Sequence, residues 1–395
     1  MMTTPRIAAV EAFIVTLPRD VPYLGPAGAG DRVVPGGYIV RAGNRTIYPT
    51  VDRSVIVKLT ASDGSVGWGE TYGIVAPRAV TEIVTDVLGP QLLGRDPREP
   101  VVIHEDLYDL MRVRNGSGGL WGDALAALDI AVWDLHGRLA GLSLAQLLGG
   151  RRHARIPAYA SGLPGGTLQE RVRMAQALHA RGHDAIKFAG VVSHEGIAEE
   201  MAALRAALGP AVRLMVDLHW KFDAAQALAL SERLAASNPL FIEAPCAPED
   251  LEGQARVAAQ SRVPVALGEE WHSVHEAMPR FERRAMAIVQ PEMAHTGVTE
   301  FSQIARLAQA FHLQVMPHAT IGTGLFLAAS LQVASVLPNV PMHEYQHSVF
   351  DRHLPLLNTT MRCEAGHYTV PDGPGIGAEP APALWAYAQA AGRVA

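Results

Sequence analysis

The chain has only two cysteines, Cys246 and Cys363, in 395 residues. That is too few for a disulfide framework. The N-terminus, MMTTPRIAAVEAF, also lacks the basic, apolar and small-residue regions of a signal peptide, and together these point to a reducing cytoplasm. No block of Lys and Arg is present either. The 33 basic residues against 39 acidic ones leave a net charge of -6, so no stretch can track a phosphate backbone and nucleic acid is not an expected partner. A membrane span is missing too. The long charge-free stretch from Ala319 to Met342 is broken by Gly322, Gly324, Gln332, Pro338, Asn339 and Pro341, and it reads as a buried helix of a soluble protein. Apolar residues, by contrast, make up 49% of the chain. A large core can be buried, and the length favours one large domain with a smaller one.

The first part of the chain mixes strands and helices. SVIVKLTASDGSVGWGET, Ser54 to Thr71, sets two β-rich runs around an Asp-Gly turn and predicts a hairpin. Helices are expected over Ala79 to Leu92, Val101 to Arg112 and Trp121 to Leu139; Leu125, Leu128, Ile130, Val132 and Leu135 make the last apolar on two sides. Residues 18–50, rich in proline, glycine and tyrosine, read as a loop whose length suits a lid, with Arg45 or Tyr48 near a substrate. The Thr71-Tyr72 turn is a second candidate for substrate contact.

From Ile156 onward short apolar runs alternate with Ala- and Leu-rich helical stretches: IPAYAS, DAIKFAG, VRLMVDLH, PLFIEAP, VPVALGEE, MAIVQPE, LQVMPHA and PMHEY. Runs interleaved with helices and lacking tight turns between them predict parallel βα units, and a barrel is the simplest closure of eight. The charged residues ending the later runs are Lys187, Asp217, Glu243, Glu269, Glu292, His318 and Glu344. Their spacing is 30, 26, 26, 23, 26 and 26 residues. One acid at a strand end can simply cap the next helix. Seven in register predict a functional ring at the C-terminal mouth of the barrel.

Asp217, Glu243 and Glu269 would come from consecutive strands. Three converging carboxylates raise one another's pKa unless a cation neutralises them. All-oxygen ligation suits Mg²⁺, with Mn²⁺ as the alternative, and disfavours zinc. Glu270 competes with Glu269 for the third position; strand alternation puts Leu267 and Glu269 on one face and Glu270 on the other. The same rule turns Lys187 and His219 inward. His318 ends the seventh run beside Glu292, which can hold one imidazole nitrogen and leave the other as a base.

These motifs, from GWGE through LAALDIAVWDLHGRLAGLSLAQLLGG, AIKFAG, MVDLHW, FIEAP, LGEE, QPEMAHTGV and PHATIGTG to HEY, resemble the enolase superfamily in its mandelate racemase/muconate lactonizing enzyme branch, over almost the whole chain. The resemblance implies an α/β fold. A modified TIM barrel, (β/α)7β, over 151–346 would sit beneath an α+β capping domain made by 1–150 and the tail 347–395. It implies Mg²⁺ on Asp217, Glu243 and Glu269, loss of the proton α to a substrate carboxylate, and a homo-oligomer. Enzymes of this superfamily pair a Lys or His base with Mg²⁺, which stabilises the enediolate.

Three departures refine that expectation. The second lysine of the racemase pattern is absent, because Lys187-Phe188-Ala189 stands in its place. His219 replaces a common asparagine and matches the proton donor of sugar-acid dehydratases in the superfamily. Glu292 replaces the usual aspartate beside the base His318. One strong base with an acid nearby favours dehydration of a sugar acid to a 2-keto-3-deoxy acid, with Glu344, if protonated, binding the carboxylate or enediolate. Lactone cycloisomerisation, epimerisation or racemisation, and a non-catalytic sugar-acid-binding barrel are the alternatives. A metal-dependent hydrolase fits less well, since its site would include His ligands.

Overall fold

A computed structural model describes residues 5–114, 116–193 and 195–395. The N-terminal unit is built on an antiparallel sheet in the order Ala388–Val394, Ile7–Leu17, Asp52–Ala61, Val66–Tyr72, so the last strand of the chain lies beside its first. The hairpin turns through Asp63 and Gly64, the glycine taking φ +86°. Helix Gly119–Ala140 packs on this sheet at close range. Gly67 and Gly69 permit it: a Cβ at either would run into the helix backbone, at Ala131 and Ala127 respectively.

The other two expected helices are shorter or less regular. The first is α-helical only over Pro77–Glu82, widens into a π-turn over Ile83–Leu88 and tightens to 3-10 geometry at Gly89–Gln91. Pro90, which has no N–H to donate, helps to end it there. The second covers Pro100–Asp109. The charge-free stretch carries helix Leu325–Ala334, wholly buried.

Residues 18–50 are not a plain loop. They form a three-stranded sheet of Arg32–Val34, Tyr38–Val40 and Ile47–Pro49, whose first turn uses Gly36 and Gly37 at φ +91° and +81°. Buried Arg41 ties the segment together, donating to Asp31 at 2.8 Å and to the carbonyls of Pro26 and Gly25 at 2.7 Å each.

All eight expected runs contain barrel strands, in order Arg155–Ser161, Ala185–Ala189, Arg213–Asp217, Phe241–Glu243, Val265–Leu267, Ile288–Val289, Gln314–Val315 and His343–Tyr345. Neighbours pair in parallel, and the eighth pairs with the first. Glu344 N donates to Pro317 O at 3.2 Å, joining the seventh and eighth. An interior cluster takes one residue from or beside each strand: Tyr159, Ala185, Met215, Phe241, Ala266, Ile288, Met316 and Met342. The barrel is therefore filled rather than hollow. Two residues further along each strand, the period-2 rule delivers Ser161, Lys187, Asp217, Glu243, Gly268, Gln290, His318 and Glu344 to the mouth. Among the described residues, no helix is long and apolar enough to cross a membrane.

Candidate active site

The ring of strand-end residues opens into a cavity of about 360 Å³, closed on other sides by Tyr72, Ile74 and Asp123 of the N-terminal unit and by Tyr23, Leu24 and Tyr48 of segment 18–50. That size suits a small molecule. Lys187, Asp217, Glu269, His318 and Glu344 border it, as does His219.

The fifth strand reaches the site by a different route from the one alternation predicts. Ala266 faces the barrel interior, so Leu267 packs in the outer layer and Glu269 shares its parity. Gly268, at φ +130°, breaks the extended path and turns the chain, and both Glu269 and Glu270 border the cavity. The assignment of Glu270 to an outward face is thus corrected. The two glutamates still differ. Glu269 Oε2 lies 2.7 Å from His318 Nε2, and burial pushes the Glu270 carboxyl up to about 7.

His318 sits among three carboxylates. A backbone bridge pairs it with Glu292, and its Nδ1 donates to Glu292 Oε2 at 2.8 Å. That oxygen also accepts from the Tyr72 hydroxyl at 2.7 Å, while Glu292 Oε1 accepts from Ala294 N at 3.0 Å. His318 Nε2 faces Glu269 and, at 3.6 Å, Glu344 Oε2. Burial acts to lower the imidazole pKa, but Glu269 and Glu344 outweigh it and hold His318 well above its usual value.

Lys187 is equally committed. Its ammonium lies 2.7 Å from Glu243 Oε2 and 3.0 Å from Glu344 Oε1, and those charges overcome burial and raise its pKa. It is a fixed cation rather than a proton acceptor. Burial would raise the pKa of Glu344, but Lys187 and His318 bring it below the usual value, so the condition attached to its donor role is not met in this arrangement. Its Oε2 accepts from Ala319 N at 3.1 Å.

Asp217 and Glu243 carry the strain of the cluster. Burial, with the charge of Glu269, pushes Asp217 up to about 8; burial pushes Glu243 to about 8 against the pull of Lys187. Glu269 falls to about 2, burial being overcome by His318. Glu243 Oε1 is buried with no hydrogen-bond partner among the described residues. Donor atoms of Glu243, Glu269 and His318 lie within 4.8 Å of one another. Asp217, beside Glu243 in register, is turned to His219: Oδ1 accepts from His219 N at 2.8 Å and Oδ2 lies 3.0 Å from its Nε2. The orphaned oxygen and the excess of buried carboxylate over cation make Glu243 and Glu269, with Asp217 in the neighbouring register position, a fit for a hard divalent ion.

His219 reaches the cavity through a left-handed turn, φ +50°, and not through strand alternation. Burial lowers its pKa, against the charges of Glu269 and Glu243. Two expected contacts fail. Arg45 is exposed and outside the cavity wall, because Arg41 and the short sheet direct that turn toward solvent. Thr71 is buried behind the wall, its hydroxyl donating to Ala294 O at 2.5 Å; adjacent Tyr72 lies on the cavity side. Sequence reasoning missed Asp123, His272 and His295, whose donor atoms also lie within 4.8 Å of one another. No sequence signal separates Asp123 from Asp129 and Asp134 of the same helix.

An eight-stranded barrel with carboxylates and a carboxylate-backed histidine at its mouth, covered by a second α+β unit, defines a class of barrel enzymes. Residues 45–149 match the family described as mandelate racemase / muconate lactonizing enzyme, N-terminal domain, and residues 170–384 match enolase C-terminal domain-like. The chain belongs to the enolase superfamily. It is 34% identical to a D-galactarolactone cycloisomerase of Agrobacterium fabrum, covering 82% of this chain and 88% of that one. It is 31% identical to a D-galactonate dehydratase of Ralstonia nicotianae, covering 85% and 90%. A solved structure of an enolase superfamily member from Agrobacterium tumefaciens superposes with TM-score 0.95 at 48% identity, covering 98% of this chain and 100% of that one.

Proposed function

We propose that the protein is a Mg²⁺-dependent sugar-acid dehydratase, and that Asp217, Glu243 and Glu269 hold the ion. The observation that carries the reading is the asymmetry of the barrel mouth: His318, backed by Glu292 at 2.8 Å, on the seventh-strand side, and on the second strand only Ala189 beyond a lysine fixed as a cation. Racemisation needs a donor and an acceptor on opposite faces of one carbon. Elimination needs a base and an acid for the leaving group.

His318 Nε2 takes the α-proton while Glu292, steadied by Tyr72, holds Nδ1–H and balances the imidazolium that forms. A ligand role for Glu269 frees that nitrogen. When bound, the cation supplies Lewis-acid stabilisation of the enediolate charge. Lys187 adds a fixed positive charge beside it. His219 gives its proton to the departing hydroxyl; burial makes its protonated form a stronger acid and a less populated one. Lactone cycloisomerisation is the second reading, supported by the 34% identical relative, and it uses the same α-proton chemistry.

The test is solvent-deuterium exchange at the α-carbon, followed together with 2-oxo acid formation over a panel of sugar acids and lactones. His318→Asn should lose both by about 10²- to 10⁴-fold. His219→Asn should lose turnover and keep exchange. Retained exchange in the His318 variant transfers the base role elsewhere and removes the dehydratase reading.

A further inference from the structure

At the end of the cavity formed with the N-terminal unit, three residues from three elements meet. Asp123 comes from helix Gly119–Ala140, His272 follows the fifth barrel strand, and His295 lies three residues beyond Glu292. Asp123 Oδ1 accepts from His295 Nδ1 at 2.6 Å and lies 3.3 Å from His272 Nε2. The other His272 nitrogen is 3.4 Å from Glu276 Oε2, which also accepts from His272 N at 2.8 Å. With a carboxylate at each nitrogen, His272 is an imidazolium, a brace and not a metal ligand. Tyr72, whose hydroxyl supports Glu292, packs its ring edge-on to His295 at 4.8 Å.

Asp123 and His295 border the cavity. Asp123 Oδ2 and His295 Nε2 have no hydrogen-bond partner among the described residues. A second feature bears on what they meet. Among the described residues of the cavity wall there is no arginine, and the only lysine, Lys187, is already shared by Glu243 and Glu344. The wall instead carries the carboxylates of Asp123, Asp217, Glu269, Glu270 and Glu344.

We infer that Asp123 and His295 form the subsite for the far end of the substrate, and that this end bears a hydroxyl, so that the substrate carries a carboxylate at one end only. This rests on the α-proton chemistry proposed above. The terminal hydroxyl donates to Asp123 Oδ2, and the hydroxyl on the adjacent carbon donates to His295 Nε2, an acceptor because Nδ1 carries the proton given to Asp123. A terminal carboxylate has no proton to donate. It meets Asp123, whose neighbouring His272 imidazolium is already shared with Glu276, inside a low-dielectric pocket that offers no free guanidinium or ammonium. A site built to hydrogen-bond a hydroxyl discriminates strongly against a group that leaves its polar atoms unpaired.

The test compares matched acids that differ only in the oxidation state of the last carbon, D-gluconate with D-glucarate and D-galactonate with D-galactarate, in Mg²⁺-loaded enzyme. The readout is kcat/KM for α-proton exchange. The monocarboxylate of an active pair should be favoured by about 100-fold or more. Asp123→Asn should raise KM for that acid about tenfold, leave kcat within about threefold, and reduce the preference over the dicarboxylate by about tenfold. A dicarboxylate processed as well as its partner overturns the inference, and the wild-type comparison needs no variant to fold. A loss in Asp123→Asn that leaves the mono-to-dicarboxylate ratio unchanged also overturns it, by marking Asp123 as purely structural. Absence of exchange with every acid refutes the α-proton chemistry itself and is distinguishable from both.

Discussion

Replacing Glu70 by Gln should destabilise the protein by about 4 kcal/mol, although the residue lies outside the cavity wall. Glu70 ends the GWGE motif in strand Val66–Tyr72 and is fully buried. Its carboxylate accepts from the backbone N–H groups of Thr323, Gly324, Leu325 and Phe326 and from the Ser54 hydroxyl; the distances from Gly324, Leu325 and Phe326 to Oε2 are 3.2, 2.8 and 3.1 Å. These groups open helix Leu325–Ala334, at an end where N–H groups lack intrahelical partners and the helix dipole favours an anion. Gln keeps the shape, loses the charge and offers one oxygen in place of two. A hydrogen bond to a charged group contributes about 1.5–3 kcal/mol and a neutral one about 1 kcal/mol. Weakening or losing two to three of them gives about 3–5 kcal/mol. With an unfolding entropy of about 2.1 cal/mol/K per residue over 395 residues, about 4 kcal/mol reads as a fall of about 5 °C in Tm by calorimetry. Exposed Glu364→Gln is the control and should shift Tm by less than about 1 °C. A shift that small in Glu70→Gln would mean that the carboxylate charge is not what holds the helix start.

Two further outcomes follow from the cavity and from the junction behind it. Glu269→Gln should weaken Mg²⁺ binding by about tenfold or more in calorimetric titration, and Glu270→Gln by less than about threefold; the reverse order would reassign the ligand. His104 lies between Asp129 and Glu300, 3.5 Å and 3.4 Å away, and their charges outweigh burial and push its pKa up to about 9. Because the folded value exceeds the unfolded value of about 6.5, its stabilisation is complete below that pH and is lost as pH rises through about 9. The upper bound on that contribution is about 3 kcal/mol. Tm of the wild type should therefore fall more steeply between pH 7 and pH 9.5 than Tm of His104→Gln, and parallel curves would remove the ion pairs from the account.

Most of the barrel mouth was legible because one rule, alternation along a strand, places Lys187, Asp217, Glu243, His318 and Glu344 at one level. The rule needs only a run that stays extended. It fails where the backbone leaves that state, at Gly268 before Glu269 and at His219 after Asp217, both with positive φ. Each residue still reaches the cavity, so the expected positions survive while the stated reason does not. Segment 18–50 was misread because its short strands are held by Arg41 and Asp31, a pair ten residues apart with no periodic trace. Asp123 was invisible for a related reason. It is one of three aspartates in helix Gly119–Ala140, and only the arrival of His272 and His295 from the barrel sets it apart.

The contacts across the cavity also bear on how a ligand gains access to it. Swinging the N-terminal unit off the barrel would break Tyr72 to Glu292, Thr71 to Ala294, Asp123 to His295 and the Glu70 bonds together. Those contacts are largely buried, and they converge on the chain that follows the sixth and seventh strands, which also carries the base and its carboxylate. Removing charged partners from one another in such a place leaves groups unpaired out of water, which costs several kcal/mol for each. Over the third strand, segment 18–50 is held by Asn44 Nδ2 donating to His219 O at 3.3 Å, and the same amide donates to Tyr48 at 2.8 Å. Lifting that edge breaks this neutral, partly buried contact and the small apolar cluster of Leu24, Tyr48 and Ala189. The energetics therefore separate the two covers of the site. The cost of opening is lower for the short sheet over Tyr23 and Tyr48, whose lifting breaks no buried charge pair with the catalytic groups, than for the N-terminal unit that positions Tyr72 and Asp123.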